Sequence, residues 1–388
     1  MRQVAEVIVI GAGSTGSSIA FHLTERGVRR VVVIEKTTVA GGPTGRSAAV
    51  VRQHYGNEIL VRLARECLKF FEAWPDRVGG SCGLRRVGFL GVVGPRNRPA
   101  LEANVELQRS VGVEVALLAA DDIRRLEPDI LVEDLAEAAF EPEAGYCDPV
   151  ATTHALLAAA QRRGAEVQEG TEVLDVVLAA GRVAGVKTSR GTISAPVVVD
   201  AAGPWAPAIA SMVKCTLPIA VSRHSLGRLR PSSGSGMSHP VYADFERRFY
   251  LRPEDGQTFL VGSLEPNDIH DLADPDRFSA EVSPGVLTRF RDRVASRFPR
   301  RATGTWTPGW ASLYDTTPDD QPLLGAVEGV PGFIVAAGFS GHGFKLCPVV
   351  GDLIASLIVN GRSEGVIDDF GVHRFRTGRL IESRHWYH

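Results

Sequence analysis

Apolar and polar residues along the chain fall into blocks that switch between strand and helix periods. Residues 5–10 (AEVIVI) are an apolar, β-branched run, the pattern of a strand buried on both faces. GAGSTG follows at once, and Ile19, Ala20 and Leu23 then recur at helical spacing. A second β-branched run at 31–34 ends in Glu35. Residues 57–74 (NEILVRLARECLKFFEAW) predict a helix capped by Asn57, with Ile59, Leu60, Leu63, Ala64, Cys67, Leu68 and Phe71 inward. Another helix starts at Asp148, carries Pro149 in its first turn and stops at Gly164. Short strands at 173–178, 183–188 and 192–199, with Gly181 and Gly191 at the turns, resemble a small meander, and VVVDAAGPW ends it in a turn of small residues. Near the C-terminus a buried strand at 332–337 leads through GFSGHG into a helix over 344–360. Of the intervening regions, 77–145 is mixed and 216–320 is rich in strand-like runs. Within the latter, 226–240 (LGRLRPSSGSGMSHP) predicts a loop.

The first block has a chemical meaning. Gly11, Gly13 and Gly16 stand in G-x-G-x-x-G spacing between a strand and a helix, with Ala12, Ser14 and Thr15 between them. Gly11 permits the tight turn, Gly13 lets backbone approach a pyrophosphate, and Gly16 lets helix pack on strand. The helix N-terminus offers free N–H groups and the positive end of its dipole. Glu35, followed by Lys36, stands where a carboxylate accepts from a ribose 2′-hydroxyl, so FAD or NAD fits better than NADP. The later blocks make this nucleotide-binding unit discontinuous, built from three separated pieces.

At 388 residues the chain exceeds the size at which one core stops growing, so two domains are expected. Its net charge of −2 argues against a broad nucleic-acid surface, and the arginine pairs at 29–30, 85–86, 247–248 and 300–301 read as solvated surface. Only five of 43 basic residues are lysines, which draws notice to Lys345 in its glycine-rich segment. Five cysteines without a C-x-x-C pair suggest a reduced, cytoplasmic chain, and ten histidines without ligand spacing suggest no metal. No apolar stretch reaches eighteen residues, and the N-terminus enters a strand directly, so neither a membrane span nor a signal peptide is expected. GFSGHG is not a hydrolase elbow, because His342 stands where G-x-S-x-G requires glycine.

GAGSTG with Glu35, then GGPTGRSAAVVRQHYG, GYCDPVATTHAL, VVVDAAGPWA, YLRPEDGQTFLVG, SLYDTTPDDQPLLG and GFSGHGFKLCPVVGDLIASL together resemble the FAD-dependent D-amino-acid oxidase superfamily. The likeness is to its sarcosine oxidase and glycine oxidase branch, especially sarcosine oxidase β-subunit-like proteins. It runs over residues 5–360, and GFSGHGFK is its most specific element. It implies FAD rather than NAD, and a mixed α/β fold in two domains. A Rossmann-like FAD-binding domain would take 1–76, 146–215 and 321–388, and a substrate domain on a large, mostly antiparallel sheet would take 77–145 and 216–320. The implied reaction oxidises the C–N bond of a small amino acid or N-methyl amino acid (sarcosine-, glycine- or proline-like). Hydride passes to the flavin, and the resulting imine is hydrolysed by water. Dioxygen or an electron-carrier partner would take the electrons onward. The alternatives are a subunit of a heteromeric complex and a flavin-carrying assembly protein without turnover. Oxidation of a hydroxyl carbon has no phosphate-binding cluster to support it.

The resemblance also assigns roles. Arg52 and Lys345 would hold the substrate carboxylate near the flavin, and Tyr250 and Arg252 would face the substrate, Arg252 as a second anchor. His342 would donate to flavin or substrate, or brace its loop. Backbone from Gly341 through Gly343 to Phe344, with Gly338 upstream, would meet the flavin. Arg46 and Ser47 would pass the flavin ring and Val173 the adenine. Ala202 and Gly203 would allow close backbone approach, with Trp205 packing beneath the nucleotide; His54 and Tyr55 are further candidates. Two departures stand out. Ser312 replaces the cysteine that tethers FAD in some relatives, and Ser47 stands near where others have a tethering histidine, so dissociable FAD is expected. Leu260 falls where monomeric sarcosine oxidases keep an oxygen-activating lysine, which favours a dehydrogenase or onward electron transfer.

Overall fold

Strand Val7–Ile10, buried at all four residues, is the third of six in a sheet of order Glu166–Gln168, Val31–Ile34, Val7–Ile10, Val197–Asp200, Phe333–Ala337 and Leu323–Ala326. The first five are parallel and the last is antiparallel. Parallel neighbours need long crossovers, which is why strands so distant in sequence meet. The chain is described here from a computed structural model covering residues 3–232, 239–361 and 366–382.

Alternation along the strands sets the layers. Val7 and Val9 pack toward helices Ser14–Glu25, Pro149–Arg162 and Gly343–Asn360, while Ile8 and Ile10 pack toward a meander of Val173–Ala179, Arg182–Thr188 and Gly191–Ser194. Asn57 and Asp148 cap their helices as expected, each accepting from two backbone amides. The strand expected over 192–199 is two strands. The break falls at Ala195–Pro196, since proline has no N–H for a ladder, and Val197–Asp200 leaves the meander for the central sheet.

Helix Gly343–Asn360 is long and apolar enough to cross a membrane, with a mean hydropathy of 1.4, but half of it is buried within this protein. It crosses Ser14–Glu25 closely, and a Cβ on Gly351 would lie 2.2 Å from Ser18 Oγ.

A second sheet has eight strands in the order Thr305–Thr316, Ala220–Arg230, Phe259–Ser263, Phe249–Pro253, Val241–Asp244, Phe89–Val93, Glu137–Glu141 and Ala116–Leu118. Only the pair Val241–Asp244 with Phe89–Val93 is parallel. The first part of the expected 226–240 loop instead continues Ala220–Arg230, paired on both sides, while 233–238 lies outside the described residues. Arg301 is not surface either: it is 6% exposed, pairs with buried Glu127 and lies against Phe259 and Phe298.

Candidate active site

A cleft of about 1000 Å3 is lined by residues of both large sheets. At one end Gly11 takes φ +102°, and a Cβ there would lie 2.5 Å from the Ala201 carbonyl oxygen, so only glycine fits. A Cβ on Gly16 would lie 1.9 Å from the Gly11 carbonyl oxygen and 3.3 Å from Val9 Cγ1, so the helix meets the turn and strand with no room for a side chain there. Helix Ser14–Glu25 has no side-chain cap from Gly13; Ser14 N meets Thr44 Oγ1 at 3.1 Å. Glu35 is held at the turn, its Oε2 accepting from Ala12 N at 3.0 Å and its Oε1 from Thr37 N at 2.8 Å. Val173, Ala202, Gly203 and Trp205 complete this end. Asp276, from the segment after strand Phe259–Ser263, accepts from both Lys36 Nζ and Trp205 Nε1, and Phe278 lies 5.8 Å beneath Arg46. Five non-glycine residues in left-handed conformation also line the cleft: Ala40, Ala49, Arg248, Asp320 and Ser340.

The other end is built on the N-terminus of Gly343–Asn360, again without a side-chain cap. Gly341, at φ +82°, leaves room for Tyr314, whose ring a Cβ would meet at 2.3 Å. Lys345 is 6% exposed; burial and then the neighbouring Arg52 push its ammonium well below the usual lysine range. Arg52 donates through Nη1 to the His54 carbonyl, which aims its fork. Both cations lie against Tyr55, whose ring is 4.8 Å from the Arg52 guanidinium and 5.6 Å from Lys345 Nζ. Among the described residues no carboxylate pairs with either. Half-buried Arg52 and buried Lys345, with no acid paired to either among these residues, make an anion site, and a guanidinium fork suits a carboxylate. Phe89, Val241, Ala243, Phe245, Tyr250 and Leu264 supply apolar lining, with Phe89 5.6 Å from the Arg52 guanidinium.

His342 donates through Nε2 to the Asp320 carbonyl at 2.9 Å, while Nδ1 is enclosed and without a partner among the described residues. Burial, then Lys345, hold its pKa down to about 3, so the ring is neutral and its one N–H is committed. Of the two roles open from sequence, bracing is the one the geometry supports.

Arg46, Ser47, Ser14, Thr15, Lys36, Gly13, Gly343 and Phe344 all line the cleft. Ala12, Gly16 and Gly338 do not; they shape the turns behind the wall, Gly338 N donating to Asp315 Oδ2 at 2.7 Å. Arg252 also fails to reach the cleft. Its Nε donates to Ala48 O and its Nη1 to Pro253 O, both at 3.0 Å, and it stacks on Tyr146, so it secures the loop behind Arg46 and Ser47 rather than anchoring substrate. Leu260 is fully buried off the cleft; Ser263 is the residue of its strand that lines it. Sequence reading missed the Asp276–Phe278 segment, which carries no motif. It also missed His224, which stacks on Tyr314 at 3.8 Å and is driven to about 4 by burial. The cluster of metal-ligand type, His22, Glu25 and Asp352, has both carboxylates already paired with Arg77 and Arg26.

The turn, the two uncapped helix ends and the small residues between them fit an FAD extended along the cleft. Its phosphates would meet the Gly11–Gly16 turn and its ring the Gly341–Phe344 turn. Among curated proteins, human mitochondrial sarcosine dehydrogenase is 28% identical over the whole chain, which spans 43% of that protein's length. Sarcosine oxidase subunit beta from Arthrobacter sp. is 24% identical over 97% of this chain and 92% of its own. The solved structure of L-proline dehydrogenase from P. horikoshii matches 98% of this chain and all of its own, with a TM-score of 0.90 and 27% identity. The family model described as FAD dependent oxidoreductase matches residues 6–357. With the glycine turn, the paired helix ends and that match in hand, the chain belongs to the DAO family of FAD-dependent oxidoreductases.

Proposed function

We propose that the chain oxidises the C–N bond of a small amino acid or secondary (N-methyl or cyclic) amino acid, of the sarcosine, glycine or proline kind. The observation that carries this reading is the Arg52–Tyr55–Lys345 cluster: two cations share one aromatic ring in an FAD-type cleft, with no acid beside them among the described residues. Bound FAD supplies the acceptor for a hydride from the substrate α-carbon. Arg52 grips the carboxylate through its fork, and Lys345 adds the second contact. Tyr55 offers its ring to both cations, and the apolar lining sheds water from the α-carbon and its N-substituent. The amine must lose its proton before hydride leaves, and no lining side chain is assigned as its base. The imine product is hydrolysed by water after release.

FAD is held without a covalent bond in this reading, since Ser312 and Ser47 line the cleft where tethering side chains stand in relatives. Dioxygen or an electron carrier takes the electrons onward, and a heteromeric assembly is supported by the match to a β subunit. The five cysteines, none in a disulfide, support a reducing compartment such as the cytoplasm. The division into 1–76, 146–215 and 321–388 against 77–145 and 216–320 assigns each large sheet to one domain.

The test is the visible spectrum of the FAD-loaded protein mixed without air with sarcosine, proline, glycine and D-alanine. Bleaching by one of them is expected, and Lys345→Met should lower turnover at least about tenfold with FAD retained. Bleaching by none, or unchanged turnover in the variant, removes the reading.

A further inference from the structure

The motif SLYDTTPDDQPLLG resolves into the end of strand Thr305–Thr316 and a tight turn whose role lies behind the cleft. The Asp319 side chain is 3% exposed and its carboxylate accepts from five donors. Arg374 fills two of them as a fork, Nε to Oδ2 at 2.8 Å and Nη2 to Oδ1 at 2.9 Å. Thr317 Oγ1, Gln321 N and Ile381 N supply the others, each at 3.2 Å. Arg374 is itself 1% exposed and also donates to Phe370 O and Gln321 O. So complete a network rigidifies what it touches.

It touches the anion site at two places. The next residue, Asp320, is held at φ +58° and presents its carbonyl to His342 Nε2, at the cap of the helix that carries Lys345. Just past Ile381, the carbonyl of Glu382 accepts from Asn57 Nδ2 at 3.0 Å, two residues after Tyr55. The Tyr55 and His342 rings in turn contact each other at 5.7 Å. The segment 373–382 therefore backs both sides of the anion site.

We propose that Arg374, remote from the cleft, is a positioning residue for that site. It acts through Asp319 and the Asp320 carbonyl to fix His342, and with it the helix turn that aims Lys345. This rests on the carboxylate role proposed above for Arg52 and Lys345.

Acetate titrated into the FAD-loaded protein, followed by flavin absorbance, is the probe. Arg374→Met and Asp319→Asn should each weaken acetate at least about tenfold with FAD retained, and the double variant should be no worse than either, because one relay is broken once. Arg374→Lys, which keeps the charge without the fork, should recover part of the affinity. Unchanged acetate affinity in folded, FAD-loaded Arg374→Met overturns the proposal, as does a double variant whose losses add. If Arg374→Met fails to fold because Asp319 is left buried and uncompensated, the charge-free double variant takes its place, with the same tenfold loss expected and unchanged affinity again overturning the proposal. Lys345→Met separates the two readings. If it leaves acetate unaffected, the carboxylate assignment falls and this inference with it. If it weakens acetate while the Arg374 variants do not, only the relay falls.

Discussion

At the nucleotide end of the cleft the contacts come from backbone and small residues; at the carboxylate end they come from long side chains brought together from distant segments. Gly11, Gly13, Ala202 and Gly203 place peptide groups at the first end, and one turn of chain between strand and helix carries most of it. The second end needs Arg52 from one segment, Lys345 from another, and a brace from Asp320 to His342. A backbone site is sensitive to any added atom, whereas a side-chain site is sensitive to the loss of a particular group. The two ends should therefore fail differently: the first by losing the cofactor, the second by losing the substrate.

The largest effect is expected where an atom is added. Gly11→Val places a Cβ where the Ala201 carbonyl stands and forces a β-branched residue to φ +102°. FAD affinity should fall by about 100-fold or more, equivalent to roughly 3 kcal/mol of strain and displacement. Flavin retained through gel filtration measures it, and normal retention would break the contrast.

The next effect sharpens the picture of the first end. Asp200, at the foot of the same turn, is fully buried, and burial raises its carboxyl to about 8. The native chain then keeps a proton that the unfolded chain releases above about pH 4, so stability falls as pH rises from about 4 to 8 and levels off beyond. Asp200→Asn should stabilise the protein at pH 8 and leave it nearly unchanged near pH 4. Thermal melts at the two pH values test this, and a pH-independent gain would refute the linkage.

The same contrast explains what was legible in the chain. Gly11 to Gly16 and Glu35 are contiguous or periodic, and each residue type has one physical reason to be there, so the sequence announces them. The rarity of lysine drew notice to Lys345, but its role and that of Arg52 were legible only through resemblance, because a single arginine or lysine has no local signature of function. Arg252 shows the limit of that route: it shares a strand face with cleft-lining Tyr250, but its guanidinium is taken up by Ala48, Pro253 and Tyr146 beside the cleft. The split of 192–199 was foreshadowed by Pro196, whereas the Asp276 segment and the Arg374–Asp319 fork depend on tertiary approach alone.

At the carboxylate end a conservative change should suffice. Arg52→Lys keeps the charge but loses the planar fork, so KM for the amino-acid substrate should rise about tenfold, near 1.5 kcal/mol, with FAD affinity unchanged. Steady-state kinetics on the substrate that bleaches the flavin provide the measurement. An equal loss of FAD would mean that the two ends are not separable.

The smallest effect is expected at Asp276, a side-chain contact at the backbone end. Its partners Lys36 and Trp205 stand at the cleft mouth, and both Lys36 and Asp276 are well exposed, so solvent and salt screen the pair. Asp276→Asn should speed FAD release less than about fivefold, under 1 kcal/mol, and the difference should shrink in high salt. Stopped-flow dilution into apo-protein trap gives the rate. A much larger change would mean that the nucleotide end relies on a side chain after all, closed by the segment that carries Asp276, and would erase the distinction between the two ends.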